Sequence, residues 1–230
     1  MIQRAACEGV GTAILLAGIV GSGITAERLS GGNIAIALLA NALATGGVLF
    51  AMILAFGSFS GAHLNPAVSL SDALRGGLQW NEALTYIFAQ ITGAVVGVAV
   101  AHVMFGEPVF FVSHHSRHGF PQIFSEFVAT FGLLVVIWSC VRYRSNATPS
   151  AVAAYIIGAY WFTASTSFAN PAVTIARSMS NTFAGIAPRD VPWFILAQLA
   201  GAFAATLFFR WLVPIQNVAK DAAISHAAIL

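Results

Sequence analysis

Two identical tetrapeptides, Asn65-Pro66-Ala67-Val68 and Asn170-Pro171-Ala172-Val173, stand 105 positions apart. Asparagine is among the best helix N-caps, because its side-chain oxygen accepts first-turn amides. Proline is favoured at the first helical position, where its missing N–H costs nothing. Each tetrapeptide therefore predicts the start of a short helix that presents free donors and about half a positive charge. Such a start orients a neutral hydrogen-bonding guest and repels cations. Two carboxylates in apolar surroundings, Glu8 and Glu126, are each followed four residues later by a threonine, Thr12 and Thr130. No nucleophile–base pair or metal-ligand spacing accompanies them, so neither an enzyme nor a bound metal or cofactor is expected. Cys7 and Cys140 fall inside apolar segments and read as core-facing free thiols.

The elements that position these residues follow from composition. Of 230 residues, 58% are hydrophobic and 8% charged, about a third of the ~25% charge share of soluble domains. That excludes a soluble domain and intrinsic disorder. A formal charge of +2 excludes the dense basic patch of a nucleic-acid binder. Uncharged runs of 43, 24, 32 and 19 residues lie between Arg28 and Asp72, Glu82 and Glu107, Arg144 and Arg177, and Asp190 and Arg210. A membrane-spanning helix needs about 20 apolar residues, and the runs lack the alternation of barrel strands. Spans are predicted near 5–24, 33–57, 83–106, 121–141, 149–166 and 192–213, separated by Gly, Pro and Ser breakers. Two uncharged tracts, near 60–74 and 167–181, are too short to cross and read as re-entrant segments.

The chain is internally duplicated. Glu8 and Thr12 match Glu126 and Thr130 at an offset of 118, and the tetrapeptides match at 105. Ala89-Gln90 with Gly93-Ala94 matches Ala197-Gln198 with Gly201-Ala202 at 108. The expected organisation is a single transmembrane domain, 1–230, with repeats over about 1–106 and 119–214. Each repeat holds three spans, an odd number, so the second must be inverted, which places a functional site at their interface near the bilayer midplane. Because Glu8 has a partner in the second repeat, residues 5–24 read as a structural span and not a leader. A cytoplasmic amino terminus puts Arg4, Arg75, Arg142, Arg144, Arg210 and Lys220 inside and Arg28, Arg117, Arg177 and Arg189 outside, a mild positive-inside bias. Short loops and tails suggest a bacterial inner membrane with both termini cytoplasmic.

Gly61-Ala62-His63-Leu64-Asn65-Pro66-Ala67-Val68 and Phe168-Ala169-Asn170-Pro171-Ala172 resemble the paired signatures of the aquaporin, or major intrinsic protein, family. The Glu-x-x-x-Thr and Ala-Gln-x-x-Gly-Ala matches fit family positions too, so the resemblance covers the whole chain. It implies an all-α membrane protein with six transmembrane helices plus two re-entrant half-helices, an inverted three-helix repeat, and a homotetramer with one pore per subunit. It also implies pore-lining carbonyls at Gly61, Ala62, His63, Thr166 and Phe168, and loop-supporting roles for Glu8 and Glu126. Water-selective members carry an Arg directly after the second Asn-Pro-Ala, where this chain has Val173. Counting back from the motifs puts the other selectivity-filter positions at Thr45, Gly158 and Ser167, a small, neutral and wide set. The resemblance is to bacterial members of this open kind, associated with arsenic handling.

The expected function is a passive channel for small uncharged solutes: water, glycerol-like polyols and metalloid hydroxides such as arsenite. The alternatives are a water-selective aquaporin and a proton-coupled transporter on the same fold. The expected partners are the lipid bilayer and these solutes, not nucleic acid. Arg177, one turn beyond Val173 on the same helix face, reads either as a displaced filter residue in the outer vestibule or as a helix-end cation pairing with carbonyls. The paired Glu residues read as loop supports rather than a proton path, and His63 as a satisfied hydrogen-bonding residue. His114, His115 and His118 could titrate or bind a metal, but no Cys or carboxylate joins them and their spacing matches no known site. Gly93 and Gly97 form a small-residue face for close helix packing.

Overall fold

A computed structural model describes residues 1–213. The repeat boundary expected at 214 and the cytoplasmic charge expected at Lys220 lie outside the described residues. The chain forms α1 (Ile2–Leu29), α2 (Ile34–Ser60), α3 (Pro66–Arg75), α4 (Trp80–Phe105), α5 (Phe120–Tyr143), α6 (Thr148–Phe162), α7 (Pro171–Arg177) and α8 (Val191–Leu212). Five of these, α1, α2, α4, α5 and α8, are long and apolar enough to cross a membrane. The sixth span, expected over 149–166, is a helix of only 15 residues, about 22 Å at 1.5 Å per residue. Thr163 onward is unwound backbone that turns back toward Asn170. The re-entrant tracts resolve into short helices of 10 and 7 residues, each preceded by irregular chain.

The packing repeats with the sequence. α1 lies against α4 and α2, and α5 lies against α8 and α6. The half-helices interlock, since α3 and α7 each contact both α4 and α8. Helix approach is set by glycine. A Cβ on Gly93 would lie 2.1 Å from the Gly9 carbonyl oxygen, and one on Gly97 2.2 Å from that of Ala13. In the second repeat, a Cβ on Gly201 would lie 2.4 Å from the Phe127 carbonyl oxygen. Outward-facing side chains are large and apolar: Ile2, Phe88, Phe120 and Trp211 are among the most exposed residues. An exterior of this kind suits lipid, where burial against water drives nothing and only the backbone must be satisfied internally. Cys7 and Cys140 are free and partly buried.

Candidate functional site: a conduit between two half-helix starts

Asn65 and Asn170 each use one side-chain amide twice. The Asn65 Oδ1 accepts from Ala67 N at 2.9 Å, and the Asn170 Oδ1 accepts from Ala172 N at 3.0 Å and Val173 N at 3.3 Å. The nitrogens cross between repeats: Asn65 Nδ2 donates to the Ala169 carbonyl and Asn170 Nδ2 to the Leu64 carbonyl, both at 2.8 Å. This reciprocal pair brings the two helix starts head to head. It leaves the second Nδ2 proton of each Asn to the cavity that both side chains line. Pro66, Ala67, Pro171 and Ala172 are buried behind them.

The chain before each Asn runs through left-handed backbone. Gly61, Ala62 and Leu64 have φ of 88°, 46° and 51°, and their counterparts Thr166, Ser167 and Ala169 have 60°, 50° and 48°. Such conformations cost non-glycine residues about 1–2 kcal/mol each, so something must hold them. The buried carboxylates do. Glu8 accepts from His63 N at 2.9 Å, Leu64 N at 2.6 Å, and Gln90 Nε2 at 2.8 Å. Glu126 accepts from Phe168 N at 2.9 Å, Ala169 N at 2.8 Å, and Gln198 Nε2 at 2.6 Å. Gln90 also donates to Ser69 Oγ and Gln198 to Thr174 Oγ1. Both carboxylates are thus occupied by loop amides of their own repeat. Their glutamines, legible only as repeat matches, complete each network.

A cavity of about 230 Å³ passes between the half-helices. Thr45, Ser167, Val173 and Arg177 line it, as do Gly61, Ala62, His63 and Phe168. Gly158 does not. It is exposed on the far side of α6, with open space around its Cα. The counted position fails for a geometric reason: Val152, Ile156 and Tyr160 line the cavity, and they recur at the i, i+4 spacing of one helix face. Gly158, two residues from Ile156, points the opposite way. Tyr160 stands where Gly158 was expected, its hydroxyl 3.2 Å from Thr45 Oγ1. Thr166 is not among the lining residues; its hydroxyl accepts from Arg117 Nη1 at 3.3 Å.

Arg117 is a functional residue that sequence reasoning missed, because nothing in its loop marks the acceptors it reaches. The segment after α4 lies along the segment after α7, with Phe111 N donating to Met179 O and Ser113 N to Ser178 O. This zipper delivers the Arg117 guanidinium to three acceptors: Gly185 O at 2.8 Å, Ser165 O at 3.0 Å and Thr166 Oγ1. Burial lowers its pKa to about 10, so it stays charged at neutral pH. It also lies 4.8 Å from the Phe168 ring centroid, while Arg177 lies 3.4 Å from the same centroid. Arg177 is buried, and its Nε donates to the Ala184 carbonyl. It therefore both lines the cavity and pairs with a carbonyl, one from the return loop rather than from its own helix. His63 is satisfied, with Nδ1 3.1 Å from Ser69 Oγ. The three loop histidines have different neighbours: His114 N donates to Asn181 Oδ1, the His115 carbonyl accepts from Ala187 N, and His118 Nδ1 lies 4.0 Å from Asp190. Among the described residues no group of His, Cys, Asp or Glu is placed to hold a metal.

Comparison with known proteins agrees with this geometry. Residues 1–168 match the family model described as Major intrinsic protein. Aquaglyceroporin AqpS of Rhizobium meliloti (strain 1021) is 48% identical over 213 residues, covering 93% of this chain and 91% of that one. Aquaporin Z of Bradyrhizobium diazoefficiens is 27% identical, covering 92% and 93%. Among solved structures, the aquaglyceroporin from Plasmodium falciparum superposes with a TM-score of 0.69 at 22% identity, covering 90% of this chain and 95% of that one, a likeness of fold. With two half-helices meeting across a lined cavity and these relatives, the chain belongs to the major intrinsic protein family, as a multi-pass membrane channel for small neutral solutes and not an enzyme.

Proposed function

We propose that the protein is a passive conduit for uncharged solutes larger than water, with glycerol-like polyols and metalloid hydroxides such as arsenite as its solute class. The observation that carries this reading is Val173. It occupies the cavity wall directly after the second Asn-Pro-Ala, where a guanidinium would take up both volume and hydrogen-bonding capacity. Thr45, Tyr160, Ser167 and Val173 form the proposed selectivity filter. One wall is apolar, built from Leu15, Ile19, Leu49, Ile53, Leu133 and Ile156. The unwound segments Gly61–Leu64 and Ser167–Ala169 line the same cavity and supply carbonyl acceptors, and the two Asn amides supply donors. A polyol fits such a lining with carbon on one side and hydroxyls on the other. A trivalent arsenic hydroxide is neutral at pH 7 and similar in size and hydroxyl pattern. The relative named an aquaglyceroporin supports the same class.

The proposal extends to a homotetramer in a bacterial inner membrane, with both termini cytoplasmic and the α7 end of the conduit outside. The test is stopped-flow light scattering on proteoliposomes under gradients of an impermeant sugar, glycerol or arsenite. Re-swelling in glycerol or arsenite is expected, and Val173→Arg is expected to slow it at least tenfold. A second reading, a water-selective pore, is favoured by Arg177, which reaches the same cavity one turn farther along. Fast water flow with both solutes excluded would select it.

A further inference from the structure

The repeat relation, applied beyond the motifs, pairs Val68 with Val173, His63 with Phe168 and Asp72 with Arg177, all at the offset of 105. All six line the cavity. Asp72 and Arg177 each stand seven residues beyond a half-helix cap, roughly 10 Å along the axis. Because the caps meet head to head, the two charges stand at opposite ends of the conduit. At the α7 end the guanidinium lies over Phe168. At the α3 end the Asp72 carboxylate lies 3.7 Å from His63 Nε2 and remains about one-fifth exposed. Space is kept for it by Gly77, where a Cβ would lie 2.3 Å from Asp72 Oδ1. Arg75, on the next turn, is turned aside over the Trp138 and Phe209 rings, 4.1 and 4.9 Å from their centroids, and does not line the cavity.

This placement answers a question that the half-helices leave open. Two helix starts and two Asn amides repel cations at the centre, and Arg177 adds to that barrier. For an anion every one of these groups is attractive. Taking the cavity as the conduit, as proposed above, we infer that Asp72 is a specificity-determining residue that excludes anions, opposing at the α3 end the attraction set up by the centre and by Arg177. Fixed charges of opposite sign at the two ends then reject ions of either sign, while a neutral solute is indifferent to both.

The experiment measures chloride entry into proteoliposomes of the full chain with an internal chloride-quenched dye, using potassium and valinomycin to dissipate charge. Glycerol flux is read on the same vesicles. Wild type is expected to conduct glycerol with chloride entry at the empty-liposome level. In Asp72→Asn the chloride-to-glycerol flux ratio is expected to rise at least tenfold, and Asp72→Glu, which keeps the charge, should restore exclusion. An unaltered ratio in a glycerol-conducting Asp72→Asn overturns the inference. If Asp72→Asn conducts no glycerol, Asp72→Ser is read in its place, and loss of flux in both also overturns it by making the carboxylate a folding requirement. Failure of wild type to conduct glycerol would instead count against the conduit reading itself.

Discussion

The two re-entrant loops share a skeleton and differ in what braces it. In both, a buried Glu accepts two loop amides and a Gln amide, and an Asn caps its own half-helix while donating across to the other repeat. One difference lies a layer out, at the equivalent carbonyls of Ser60 and Ser165. Ser60 O accepts from the neutral Tyr86 hydroxyl at 2.9 Å, from α4 of the same repeat. Ser165 O accepts from the Arg117 guanidinium, carried in by the loop between the repeats. One half is thus closed by a helix already packed on it. The other is closed by a charged side chain that comes from outside the helices packed on that loop. Duplication preserved the groups that satisfy the strained backbone and left the outer brace free to diverge.

The largest effects should strike both halves alike. Glu8→Ala or Glu126→Ala strands two buried loop N–H groups and a glutamine amide, at roughly 1–3 kcal/mol for each unsatisfied group. Either variant is expected to abolish monodisperse protein in detergent chromatography. If one is tolerated and the other is not, the shared skeleton is not shared in energy. Next come the paired helix contacts. Gly93→Ala and Gly201→Ala each drive a Cβ into backbone, with an expected loss of roughly 1–3 kcal/mol or more, read as lowered thermal stability in detergent. The last pair of variants should separate the halves, through a difference of only about 1–2 kcal/mol between them. Arg117→Met removes charge-assisted bonds to three acceptors and is expected to cost roughly 2–3 kcal/mol. Tyr86→Phe removes one neutral bond at about 1 kcal/mol. Hydrogen exchange should quicken over 163–170 in the first and only weakly over 60–65 in the second. Equal protection losses would break the comparison.

The shared skeleton was the legible part. A cap and a proline specify a helix start through atoms within one turn, so Asn65-Pro66 and Asn170-Pro171 announced themselves, whereas the loop that each repeated Glu holds was implied only by the family resemblance. The outer brace was not legible, because Arg117 in the sequence is one arginine in a polar loop with nothing marking the acceptors it reaches. The filter count failed at Gly158 because counting back across Thr163–Ala169 assumes a fixed relation between a helix face and an irregular segment. Left-handed residues in that segment remove any such fixed relation.

By itself, the sequence determined a membrane-embedded helical chain, duplicated, with two helix starts inside the apolar layer. Those features are set by composition, by periodicity and by neighbours a few residues apart. The tertiary structure alone decided which side chains meet in the cavity, Tyr160 rather than Gly158 and Asp72 with Arg177. Membership of that wall depends on how α1, α2, α5 and α6 rotate against one another and against the half-helices. Close packing across residues a hundred positions apart fixes that rotation, and no local pattern encodes it.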